Sequence, residues 1–184
     1  MEFLFTYSQE LATALKNLDP DSFSNIHSID IDCTMLPKMG EEGDCRFHPN
    51  MNYCFAQLMQ IESPVLYWFE IISNHTAQEL YLRIQNLKSD IDRNIPAYKK
   101  GYDKDSKIIY VGKVKSKITD RMVVHFGYGK DNRTQGLQLC HWACKLNLHL
   151  KLQYIILPSS LIEMAGIFEV RLAKYLKPIF GKHK

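Results

Sequence analysis

The longest apolar runs in this chain are short: Val65-Leu66-Tyr67-Trp68-Phe69, for example, stops at Glu70. A membrane helix needs roughly 18 apolar residues in a row, so no membrane span is expected. Short runs rich in β-branched and aromatic side chains are the mark of buried strands. The segments between them then decide how the sheet is covered.

There the apolar period becomes that of a helix. Thr76 can cap a helix reaching about Ile91, because Ala77, Leu80, Ile84, Leu87 and Ile91 recur at spacings of three and four. Ile108–Val111 reads as a second strand closed by Gly112. Helices are expected over about 116–128 and 134–146, a third strand over 148–157, and a last helix over 159–176. Upstream, residues 8–18 read as a short helix opened by Ser8 and stopped at Asp19-Pro20. The stretch 21–63, with Pro37, Gly40, Gly43 and Pro49, reads as irregular, with one or two strands and a helical turn near Met51–Met59. The order strand, helix, strand, helix, helix, strand, helix gives an α/β or α+β class, with helices packed on a small sheet.

At 184 residues and 46% hydrophobic, the chain has enough apolar material for one core. Met1-Glu2-Phe3-Leu4-Phe5 carries an acid where a secretory leader carries a cation, so a cytoplasmic location is expected. Five cysteines (33, 45, 54, 140 and 144) lack paired spacing and read as reduced thiols. The uneven spacing of Cys33, Cys45, His48 and Cys54 argues against zinc, and Cys140 and Cys144 with His141 lack a nearby fourth ligand.

The net charge of +3 is split between residues 1–70, at −8, and residues 71–184, at +11. A basic half of this kind meets a polyanion, faces solvent, or docks on the acidic part.

Two helical stripes hold polar groups where apolar ones are wanted. In the last helix Glu169 falls among Ile162, Ala165, Leu172, Ala173 and Leu176. A carboxylate turned inward needs a cation, donors or a metal, and a salt bridge to Arg171 or Lys174 is the simplest answer. In the helix after Gly112, Arg121, His125 and Tyr128 share a face. An Arg fork fits phosphate oxygens, with His125 beside it; an ion pair and a half-buried imidazole would look the same in sequence.

Taken together, Val65-Leu66-Tyr67, Tyr110-Val111-Gly112-Lys113, Arg121 and His125 on a helix, Glu169, and the Lys177-Pro178 ending resemble the GIY-YIG nuclease superfamily. The resemblance covers roughly residues 64–184 and is strongest over Ile109–His125. Val65-Leu66 stands where the family has Gly-Ile, 43 positions separate Tyr67 from Tyr110, and Gly181 stands near where the family has an Asn. The long interval resembles restriction-endonuclease members that carry insertions, here about 74–106.

The resemblance implies a mainly antiparallel three-stranded sheet flanked by helices. It implies a catalytic domain at 61–184, preceded by an acidic extension at 1–60 that regulates, recognises or dimerises. It also implies a DNA endonuclease in which Glu169 holds Mg²⁺ or Mn²⁺ over the leaving oxygen and Arg121 clamps the scissile phosphate. Tyr67 would be the general base, with Tyr110 in the same network and Lys113 supplying the cation that favours phenolate. His125 would bind phosphate or relay a proton, and Gly112 would let the chain pass close to substrate. Lys99, Lys100, Lys115, Lys117 and Lys182 would contact DNA phosphates. The alternatives are a nuclease-fold protein that binds nucleic acid without cutting, and a protein-interaction module with a basic face.

Overall fold

The computed structural model describes residues 2–16, 25–38, 44–99, 101–131 and 133–182. In chain order these form α1 (Glu2–Lys16), β1 (His27–Asp32), α2 (Asn52–Leu58), β2 (Val65–Ile71) and α3 (Ala77–Asp90). They continue with β3 (Ile108–Val114), α4 (Ile118–Phe126), β4 (His149–Ile156) and α5 (Ala165–Leu176), with short 3-10 turns between. The class is mixed α/β, as expected. No helix among the described residues is long and apolar enough to cross a membrane.

The strands form one sheet of order β1-β4-β2-β3, with every pairing antiparallel. The sheet thus has four strands rather than three. The added strand, β1, comes from the stretch read as irregular. Its buried Ile29 and Ile31 alternate with exposed Ser28 and Asp30, the pattern of a strand with one wet face.

Strand β2 is buried on both faces because each is covered. Val65, Tyr67, Phe69 and Ile71 enter a core shared with α2, α3 and α4, whereas Leu66 and Trp68 meet Ala165 and Ala173 of α5. Thr76 and Glu79 close the capping box that starts α3. After α5 the chain returns to β3, where Ile179 N–H donates to Ile108 O and Phe180 N–H to Ile109 O.

Four features depart from expectation. The first helix starts at Glu2 rather than Ser8, while Asn17 and Leu18 lie outside the described residues. Gly112 lies inside β3 rather than closing it. The helix expected over 134–146 is absent, leaving an irregular loop and two 3-10 turns, Leu139–His141 and Cys144–Leu146. Gly136 and the left-handed backbone at Gln138 (φ 56°) break it up, and left-handed Asn147 (φ 49°) ends the second turn. The last helix also begins later: Ser159–Met164 is 3-10, and regular α-helix starts at Ala165.

Candidate active site

The alternation of β2 turns Tyr67 onto the same face as α4, and the register sets it directly opposite Gly112 of β3. A Cβ on Gly112 would collide with Tyr67 Oη, lying 2.5 Å from Tyr67 Cζ and 2.9 Å from Tyr110 Cε1. The missing side chain therefore makes room for the Tyr67 phenol. Tyr110 stacks beside Tyr67, with centroids 6.4 Å apart and rings 26° from parallel.

Arg121 and His125 face these rings from successive turns of α4. Arg121 Nε–H donates to Tyr67 Oη at 3.0 Å, an Nη2–H donates to Tyr110 Oη at 3.2 Å, and an Nη1–H donates to Gln135 O at 2.9 Å. Tyr67 Oη lies 2.9 Å from His125 Nε2, and Leu137 N–H donates to His125 Nδ1 at 3.3 Å. A nitrogen that accepts from a backbone N–H carries no proton, so neutral His125 bears its hydrogen on Nε2 and donates to Tyr67. The Tyr67 oxygen thus accepts from two directions.

Burial sets the charge states. His125 is fully buried; desolvation, followed by the Arg121 charge, holds its pKa well below the ordinary range and keeps it neutral. Tyr67 is 0% exposed, and desolvation pushes its pKa far above that of a free phenol, although Arg121 pulls the other way. Burial opposes charge on Arg121 too, but the two phenols hold its pKa above the ordinary value.

Glu169 approaches from α5, on the opposite face of the sheet. It is half-buried, and desolvation raises its pKa against the opposing pull of Lys113 and then Arg121. Its charge also acts on Tyr67. Among the described residues no cation lies within ion-pairing distance of this carboxylate, so neither Arg171 nor Lys174 neutralises it. Lys113 is half-buried in β3 and acts on Glu169 rather than on Tyr67, whose cationic partner is Arg121.

The basic residues are less uniform than their sequence suggests. Lys117 and Lys182 are exposed, and Lys99 is half-buried with its pKa lowered by desolvation. Lys115 Nζ pairs with Glu163 Oε1 at 2.9 Å. Lys100 lies outside the described residues. Gly181, with φ 110°, donates its N–H to Ala97 O and brings no side chain to the site.

Gln135, Gly136 and Leu137 carry no side-chain signal in the sequence, because they contribute backbone. Their one mark is Gly136 inside an expected helix, where glycine is unfavourable unless the backbone must come close to something. Here it passes against Val124 O, where a Cβ would collide. This chain matches no family model, no curated protein and no solved structure.

Proposed function

We propose that this protein is a metal-dependent endonuclease of GIY-YIG type that hydrolyses DNA phosphodiester bonds. The observation that carries the reading is one guanidinium joined to two phenols, with a half-buried carboxylate, free of any ion pair among the described residues, in its electrostatic field. An arrangement that only stabilised the fold would pair that carboxylate.

Hydrolysis needs a positioned phosphate, a place for the water's proton and stabilisation of the leaving oxygen. The remaining donor capacity of Arg121 suits a phosphate oxygen. Tyr110, half-buried beside the fully buried Tyr67, is the phenol placed to meet water, so we give it the base role. Arg121 puts positive charge where a phenolate would form. Tyr67 and His125 then act as positioning residues, and the His125 imidazole cannot reach a phosphate while it stays buried.

The residues fit one Mg²⁺ or Mn²⁺. Glu169 is a carboxylate with no ion-pair partner among the described residues, and those residues hold no group of three or more His, Cys, Asp or Glu side chains able to bind a metal. One carboxylate plus waters and substrate oxygens is a common Mg²⁺ arrangement. When bound, the ion would supply charge stabilisation at the phosphate. Lys113 and Arg121 favour the ionised form of Glu169 that this requires.

Nicking of supercoiled plasmid with Mg²⁺ tests the proposal, with Arg121→Ala and Glu169→Ala run beside the wild type. Both variants should lose activity, and cutting that survives Glu169→Ala sinks it. The absence of a side chain at Gly181 favours a second reading, in which the protein binds nucleic acid without cutting. In that case DNA affinity would fall steeply with salt while no nicking occurred.

A further inference from the structure

The segment from Arg133 to Gln138 is fastened along its length. Asn94 Nδ2–H donates to Arg133 O at 2.6 Å, and Gln138 Nε2–H donates to Asn94 O at 3.4 Å. One residue therefore ties both ends. Between those ties lie the two contacts that orient the candidate site, Gln135 O on Arg121 and Leu137 N–H on His125. Leu137 O in turn accepts from Trp142 Nε1–H at 2.8 Å.

This segment is held against a cost. Gln138 is 1% exposed, has a left-handed backbone at φ 56°, and leaves its Oε1 without a hydrogen-bond partner among the described residues. A non-glycine residue in that conformation, with half its buried amide unsatisfied, persists only where its surroundings fix it. Gly136 adds a second demand, since its backbone must lie against Val124 O.

We propose that Asn94 is a positioning residue for the Arg121–His125 pair. By stapling 133–138 into a closed loop, it holds Gln135 O and Leu137 N–H where they fix the Arg121 fork and the His125 tautomer. Asn94 lies in the 74–106 segment that looks like an insertion, so this segment serves the site instead of merely interrupting the fold. The activity part of the claim rests on the nuclease reading. The tautomer part does not.

The test uses the full chain labelled with ¹⁵N. Wild type should show His125 as the Nε2–H tautomer. Asn94→Asp keeps the size but lacks the amide donor, so it should populate the Nδ1–H form and lower kcat for nicking at least about tenfold, with KM within about twofold. Asn94→Gln, which keeps the amide, should restore most of both. Gly136→Ala strikes the same loop from the α4 side and should shift the same His125 signals.

An unchanged His125 spectrum in Asn94→Asp overturns the proposal, as does an active wild type whose kcat is unaffected by that substitution. If the tautomer shifts but wild type cuts no DNA, the positioning role stands and the nuclease reading falls.

Discussion

Gly112→Ala tests the packing that brings the site together. The φ of Gly112 is not in the left-handed region, so alanine there suffers no backbone penalty and any effect comes from space. The new Cβ would meet the Tyr67 phenol, 2.5 Å from Cζ. That ring is fully buried and fastened by Arg121 and His125, so relief requires it to leave both hydrogen bonds. Overpacking of a close-packed core costs ~1–3 kcal/mol, and losing a hydrogen bond to a charged partner ~1.5–3 kcal/mol. A total of ~3–5 kcal/mol corresponds to a fall in Tm of about 6–20 °C for a chain of this size. Thermal melts followed by circular dichroism would read it. In a Tyr67→Leu background, which replaces the phenol with a shorter aliphatic side chain, Gly112→Ala should cost less than about 1 kcal/mol, giving a coupling of at least about 2 kcal/mol. A Gly112→Ala melt within about 2 °C of wild type, or additive costs in the double variant, would show that Tyr67 does not occupy this space.

Three further outcomes follow from the same site. Glu169→Gln should abolish Mg²⁺-dependent nicking without lowering Tm, because burial disfavours the native carboxylate. The sign of its pH dependence is fixed: the unfolded chain ionises this residue near its ordinary value and the native state higher. Native stability is therefore lost as pH rises through that window, activity is lost as pH falls through the raised value, and a flat stability profile that Glu169→Gln leaves unchanged would contradict this. His125 has a depressed pKa, so the unfolded chain takes the proton first. Stability should fall as pH drops below about 6.5, at up to ~1.4 kcal/mol per pH unit, with His141 adding in the same direction. Denaturant titrations should show that slope flattened in His125→Gln. Finally, Lys117→Ala or Lys182→Ala should each lower the salt slope of DNA affinity by about 0.9 for each phosphate the native ammonium neutralises. Lys115→Ala, whose ammonium is spent on Glu163, should change it less, and equal effects in fluorescence anisotropy would show that the ion pair does not hold in solution.

The helix from Ala77 to Asp90 and the strands β2 and β4 are legible in the sequence because their signals are local: a capping box, a period, an apolar run. Strand β1 is only loosely legible, since half-buried alternation over six residues is a weak pattern among prolines and glycines. The 134–146 segment reads as a helix because its apolar spacing suits one. There the backbone carbonyl and amide that Arg121 and His125 require outweigh helical propensity.

Sequence alone determined the residue types and their order: two tyrosines on strands, an Arg and a His one turn apart, and an acid placed on an apolar stripe. It also set which face each would take, because the periods of strand and helix follow from backbone geometry. Only the tertiary structure decided which phenol is sealed and which stays half-exposed, which cation serves which partner, and that backbone groups of the loop around Gly136 complete the site. Burial and hydrogen-bond reach depend on what other segments bring alongside, and no local pattern encodes that.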